Sequence, residues 1–588
     1  MGLVPYTAGK RRTLTPIRQS VSDGSTLSLD FTTGVLDPRL TFTRSTNATF
    51  INSQGFVQYA EANMLVNSPM QDAANPPSGW TFFGTGGTIS TPVSGSRKIA
   101  TTGSGQQVFT YQSLNLPQGL TFTLSFVVSE ITGTINYNGI CFADGAASSQ
   151  LWVNGAQITN FSAQAVVGSY CLIYVPGAGA TAHRIGTGAN SSSSGVCSMT
   201  FHSARVQPGS FTTTTYIPST LTAAYHAPRF DYDPTTRAPR GLLLEAQVPN
   251  LVARSQALNQ SPWLKAATSI SETGTGSPAN DATSNVLTWT NGTAVGSAYT
   301  EQSGLPVSAS QPYTWSVWLK NRGNQRVSVF GFTKTSANAF SGNLEMTVDF
   351  SVATPTAAIT TSTNFTSTSV TTPVAFGNGW YRCTMTGTTP SNAAITGFGI
   401  SNKNAVPASG TNGCEVWGAQ LETGSGASSY IPTGASQGSR AADSCVMTGT
   451  NFSSWFNESE GTFIAQFQTQ HQGNTSSAAY LLALDSSASK RLIYLNTTLD
   501  TASTFDGNLV ISAVGDVTGV LAKVASAYNS SERALVANGG TVATGSVAVG
   551  YSSATSLGIG LLASNSTFKQ IKFFPTRLSN SQLQVLTA

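Results

Sequence analysis

Two stretches of this sequence open the same run of landmarks. "NMLVNS" (Asn63–Ser68) and "NLVARS" (Asn250–Ser255) are each followed by a Pro and a Trp, Trp80 and Trp263. An alternating strand comes next, "FTLSFVVS" from Phe122 and "YTWSVWLK" from Tyr313, 59 and 63 residues after the opening Asn. "ARVQPGS" (Ala204–Ser210) then matches "AQLETGS" (Ala419–Ser425). Each run closes on "YIP", with Tyr216 and Tyr430 standing 12 and 11 residues past Ala204 and Ala419. Five landmarks in one order at matched spacing predict two copies of one jelly-roll-type β-sandwich, residues 63–225 and 249–442.

The remaining segments also read as strand. "LSLDF" alternates Leu27, Leu29 and Phe31 with Ser28 and Asp30, and "ATFINSQGFVQYA" reads as strand, turn at Ser53–Gly55, strand. After "GSRAAD" (Gly438–Asp443) a third sandwich is expected over 443–588. Its strand "GTFIAQFQTQ" puts Phe463, Ala465 and Phe467 on one face. The chain ends in a short helix: Ser579 suits the N-cap, Gln582 completes a capping box, and Leu578 can staple onto Leu583. The fold class expected is all-β: tandem jelly-roll sandwiches, a C-terminal concanavalin A-like sandwich, and a short extended N-terminal arm.

Composition supports sheet and narrows function. A chain of 588 residues is too long for one core, and only 9% of it is charged, against about 25% in ordinary globular proteins. Ser, Thr, Gly, Asn and Ala fill the gap, and low charge with many Thr, Val and Phe favours strands. A net charge of +4 does not suggest a nucleic-acid partner. No apolar run reaches the ~18 residues of a membrane span. Cys141, Cys171, Cys197, Cys383, Cys414 and Cys445 are widely spread with no metal spacing, so free buried thiols are expected, with no metal and no cofactor.

Residues 1–25 form the N-terminal arm. Lys10, Arg11, Arg12 and Arg18 give it four bases and no acid before Asp23, and Pro5 and Pro16 discourage regular structure. Such an arm suits docking on a partner surface.

Mid-chain, "APRFDYDPTTRAPRGLLLEAQVPNL" gathers charge into a chain otherwise poor in it. Asp231 and Asp233 share a strand face, where they could do acid–base work or hold calcium. Arg229 and Arg240 lie close by and Pro234 ends the strand, so a structural joint of Arg229, Asp231, Asp233 and Arg240 is expected.

These landmarks resemble a modular family of tailed-bacteriophage virion appendage proteins, of tail-fibre or head-fibre type. The residues that carry the resemblance are Phe42, Thr43, Arg44, Ala48, Thr49, Phe50 and Gly55, then Pro228–Pro234, Arg240–Glu245, Asn250, Leu251 and Ser255. The unit after them resembles a carbohydrate-binding-module jelly roll, with "GNGWYRC" (Gly377–Cys383) as a strand entry, and the last unit resembles a concanavalin A-like or laminin-G-like sandwich. This chain departs from the family in one place: Ala62 and Ala227 bracket an extra domain. Residues 26–62 and 226–248 are therefore expected to pair as one small β unit with the first jelly roll, 63–225, inserted into it.

The resemblance implies an exposed virion structural protein, made in the bacterial host cytoplasm and contacting host-surface polysaccharide during adsorption. It implies virion partners in capsid, neck or tail, reached through the arm, and a homotrimer, with no nucleic acid and no membrane insertion. Two alternatives stay open: a capsid- or neck-attached decoration protein, and a polysaccharide-degrading tailspike. No enzyme is expected, because Glu458 and Glu460 precede their strand rather than line it, and there is no nucleophile elbow, Walker loop or HExxH. For glycan contact, Trp318 and Lys320 share the polar face of "YTWSVWLK", where the first repeat has Val127. An exposed Trp there suits stacking on a sugar ring.

Overall fold

The computed structural model describes residues 23–178, 183–190, 195–290, 295–323, 325–403, 412–469, 479–485, 490–495, 501–506, 510–513, 517, 519–546, 551, 553–561 and 565–588. It is nearly all antiparallel sheet, divided among three large sandwich cores.

The C-terminal sandwich is assembled from three separate pieces of chain. Strand Asn565–Phe574 pairs with Gly461–Thr469 on one side. On the other side it pairs with Leu27–Asp30 and with Pro239–Glu245. In the facing sheet, Thr41–Thr43 pairs with Ser444–Thr448. The pattern of each piece explains the arrangement. "LSLDF" buries Leu27, Leu29 and Phe31, and "GLLLE" buries Leu242 and Leu244, all in one core with Phe463, Phe467 and Phe568. Each short piece has one apolar face and nothing of its own to cover it.

Residues 26–62 and 226–248 pair directly at Ala62 and His226, but their longer strands join the C-terminal sandwich, which corrects the expectation of a small separate β unit. They do touch: Ile51 N–H donates to Asp231, and Arg229 donates to the Thr49 carbonyl. Their main strands, however, belong to the C-terminal sandwich. Both jelly rolls are insertions into that sandwich. The first leaves and returns where Ala62–Asn63 pairs with Tyr225–His226. The second leaves and returns where Val248–Asn250 pairs with Gly438–Arg440.

The two insertions are built alike. In the first, central strand Phe122–Thr132 lies between Gly168–Pro176 and Ser198–Pro208. In the second, Pro312–Arg322 lies between Trp380–Thr388 and Gly413–Thr423. The repeat landmarks form one clasp made twice. Asn63 Nδ2 donates to the carbonyls of Ala204 and Ile217, and its Oδ1 accepts from Leu65 and Val206 N–H. Asn250 does the same with Ala419, Ile431, Val252 and Leu421. Ser68 meets the Tyr216 hydroxyl as Ser255 meets that of Tyr430. Trp80 and Trp263 are buried, and their Nε1 atoms donate to the carbonyls of Asn67 and Arg254. The Asn and Ser of each copy tie the entry segment to the exit segment, and the Trp braces the entry segment itself, so the motif recurs because both insertions must be closed at the root.

All six cysteines are buried and free. Helix Asn580–Thr587 closes the chain with the expected capping box, and Leu583 is buried with Leu578 packed beside it.

Candidate functional site

The roots of the two insertions meet the C-terminal sandwich at one point, and the buried charges collect there. Strand Arg229–Tyr232 alternates so that Arg229 and Asp231 point inward. Arg229 Nη1 lies 2.6 Å from Glu245, and its Nη2 lies 2.5 Å from Asp443. Arg44 reaches the other oxygen of Asp443 at 3.0 Å and donates to the Ala227 carbonyl. Arg440 reaches Glu245 at 3.2 Å and donates to the Ala246 carbonyl. Ser429 completes Glu245, donating from backbone N–H and hydroxyl. Three guanidiniums and two carboxylates thus join the first segment, the return segment and the start of the third.

Burial alone would raise the carboxyl of Glu245. The adjoining Arg440 and Arg229 outweigh it and hold the group at about 2. Asp231 goes the other way. Burial pushes it up to about 6, against the Ile51 N–H and the Arg240 guanidinium 3.5 Å away. Arg44 falls to about 10, through burial and the neighbouring charge of Arg229. Asp233 accepts from the backbone of Thr235 and Thr236 and pairs with Arg240 at 2.9 Å. The four residues read as a joint therefore do lie in ion pairs, but Glu245, Asp443, Arg44 and Arg440 complete the set. Arg44 and Glu245 stood within the resembling block; Asp443 and Arg440 carried no signal beyond the short "GSRAAD". Gly55, also in the block, has φ +81, and a Cβ there would come within 2.7 Å of the Pro234 carbonyl and 2.2 Å of Arg237.

Trp318 is not exposed, which corrects the stacking expectation. It is 1% accessible and forms a second, aromatic cluster beside the charges with Val57, Phe376, Trp380, Trp417 and Tyr430. Arg382 lies over its ring at 4.5 Å. The alternation of "YTWSVWLK" correctly put Trp318 on the outer face. That face is covered by Phe376, Trp417 and Tyr430 of the same jelly roll, with Val57 of the N-terminal hairpin in the cluster. In the first copy the equivalent Val127 is only half-buried. Lys320 donates to Thr275 at 2.8 Å and lies 3.6 Å from Glu415.

Between these two clusters lies a cavity of about 90 Å³, lined among others by Asp231, Arg240, Trp318, Arg382 and Ser566. Trp318 Nε1, Arg382 Nε and Ser566 Oγ have no protein partner. The arrangement is chemically suited to locking three chain segments together.

Elsewhere, Glu458 and Glu460 accept from the backbone N–H groups of Ser553 and Arg577. Among the described residues no group of His, Cys, Asp and Glu is placed to hold a metal, and no helix is long and apolar enough to cross a membrane. Lys10, Arg11, Arg12 and Arg18 lie outside the described residues.

No family model and no curated protein matches the chain. Among solved structures it is similar to domains LG4-5 of the mouse laminin α1 chain, at 8% identity and a TM-score of 0.14, covering 48% of this chain and 87% of that one. It is also similar to a Trypanosoma rangeli sialidase, at 9% identity and a TM-score of 0.20, covering 94% and 98%. Scores this low assign neither activity nor ligand to this chain.

Proposed function

We propose that this chain is a structural component of a tailed-bacteriophage virion, an exposed appendage protein that contacts host-surface glycans during adsorption. One observation carries the reading. The residues of the resembling block are the ones that lock the units together: Arg44, Arg229, Glu245, Asn250 and Ser255 all sit at the roots of the insertions. The block thus has a physical reason to travel with this modular architecture. A rigid frame that presents inserted jelly rolls is what a surface appendage needs.

The burial of Trp318 favours a second reading, a capsid- or neck-attached decoration protein with a mainly structural role. Immunogold labelling of purified particles separates the two. Label at tail or fibre tips supports the first, label over the capsid or neck supports the second, and unlabelled particles remove both. Attachment is proposed to run through the basic arm, residues 1–25. A chain lacking residues 1–20 should fold yet fail to enter particles, whereas a normal copy number would place attachment in the sandwiches.

A further inference from the structure

The second jelly roll turns a row of aromatic rings toward solvent on the sheet opposite Trp318. We propose that this row is a platform for a short neutral oligosaccharide, whose sugar rings stack on Phe330 and Phe332. The inference rests on the reading that the chain contacts host glycans, and it moves that contact away from Trp318.

The platform follows from strand alternation. Strand Ile395–Asn402 lies between Tyr299–Pro306 and Arg326–Lys334. Phe398, Ile400, Val327 and Val329 point into the core. Gly397, Gly399, Phe330 and Phe332 therefore face outward. A Cβ at Gly399 would come within 2.0 Å of the Phe330 ring, and one at Gly397 within 2.4 Å of the Phe332 ring. Both rings thus lean across the sheet over bare backbone, and both stay half-buried rather than covered. Tyr299 stands edge-on to Phe330 with 6.4 Å between centroids. At the end of the row Phe340 pairs with Lys334 and is 61% exposed.

The corresponding sheet of the first jelly roll repeats the device. Phe142 pairs with Gly186 and meets Phe109 edge-on at 4.7 Å. Phe83, paired with Phe109, is 50% exposed. Covering a glycine accounts for Phe330, Phe332 and Phe142. It does not account for Phe83 and Phe340, which extend each row into solvent.

The surroundings of the rings select the ligand. Glu301 pairs with Gly399, Asn343 pairs with Phe332, and Lys334 Nζ lies 5.7 Å from the Phe332 ring. The side chains of Glu301, Asn343 and Lys334 are half-buried and make no hydrogen bond among the described residues. A carboxylate, an amide and an ammonium beside flat apolar faces match a ligand with C–H faces and hydroxyl edges. Glu301 and Lys334 offset each other's charge, so a neutral ligand fits. Size points the same way. Half-buried rings of ~200 Å² each leave on the order of 200 Å² exposed among the three, against the ~800 Å² that a protein partner covers. Phe330 and Phe332 stand two residues apart, roughly 7 Å along the strand, which calls for a chain of sugars rather than one ring.

The test uses the full chain. Saturation-transfer NMR is run against neutral tri- and tetrasaccharides of glucose, galactose, mannose and N-acetylglucosamine. Binding of the labelled chain to intact host cells is measured in parallel. Phe332→Leu keeps an apolar cover over Gly397 and removes the flat ring. Asn343→Ala removes one hydrogen-bonding group beside it. Thermal melting confirms that both variants fold. Transfer to at least one sugar is expected, with affinity weakened about fivefold by either variant, the loss of one stacking contact or one hydrogen bond. Sugar transfer that neither variant changes overturns this site while leaving glycan contact standing. Cell binding that F332L abolishes, with no transfer to any sugar, overturns the saccharide and makes the row a protein-docking surface. Cell binding that both variants leave intact, again without sugar transfer, overturns the site alone. A chain that binds neither sugars nor cells overturns the site together with the adsorption reading.

Discussion

Arg229 and Asp443, 214 residues apart in sequence, meet at 2.5 Å with both side chains fully buried. The first closes the first insertion and the second closes the other, so one ion pair ties both roots to the C-terminal sandwich. Arg44 binds the free oxygen of the same carboxylate. Burying charges this deeply is costly unless every partner is present, and removing one leaves the others stranded.

Arg229→Met is therefore expected to destabilise the joint by about 3–5 kcal/mol, because Glu245 and Asp443 would each lose a buried cation. Chemical denaturation followed by tryptophan fluorescence reads this directly, since Trp318 and Trp417 pack beside the network. An unchanged midpoint would mean that the sheet pairing alone holds the units together.

The two clasps predict separable behaviour. Asn63→Ala and Asn250→Ala each remove one side chain that makes four hydrogen bonds inside one jelly roll. Each should cost about 3 kcal/mol from unsatisfied buried groups, felt mainly in its own unit. Hydrogen exchange should show lost protection in strand Ser198–Pro208 for N63A and in Gly413–Thr423 for N250A. Equal loss in both strands from either change would show that the jelly rolls unfold as one.

Much of this was legible in sequence, and the limits have physical causes. The repeat was visible because each clasp demands the same side chains: an amide that serves two carbonyls and two N–H groups, and a Ser–Tyr hydroxyl pair. The terminal helix was legible because capping is local. The host of the insertions was not. Leu27, Leu29, Leu242 and Leu244 declare a buried face, but alternation does not say which sheet covers it. The strand Asn565–Phe574 that receives them lies more than 300 residues away. Trp318 failed for a related reason: its face was read correctly, but Phe376, Trp417 and Tyr430, which cover it, come from distant parts of the chain.

Trp318→Ala is expected to destabilise by about 3–5 kcal/mol through the cavity it leaves, a cost that the packing of Phe376, Trp417 and Tyr430 around the ring makes hard to relieve. Binding to host cells, measured below the melting range, should be unchanged. A loss of cell binding in a variant that remains folded would return Trp318 to a direct role in recognition.

The joint should also respond to pH, with Asp231 and Glu245 acting in opposite windows. Asp231 is raised in the folded chain from an ordinary 3.8 to about 6. Its contribution is fully present below 3.8 and is lost as pH rises through 6, on the order of 3 kcal/mol over that window. Glu245 is depressed from 4.5 to about 2. Its contribution is present above 4.5 and is lost as pH falls through 2, again on the order of 3 kcal/mol. Stability from this pair is therefore greatest where the two windows overlap, near pH 4, and declines toward neutrality because Asp231 must ionise in a buried site. Asp231→Asn keeps an acceptor for the Ile51 N–H and removes the ionisation. Denaturation midpoints measured from pH 4 to pH 8 should fall for the native chain and stay flatter for D231N, with the variant the more stable of the two at pH 8. Parallel curves would mean that Arg240 at 3.5 Å already compensates the buried carboxylate in full.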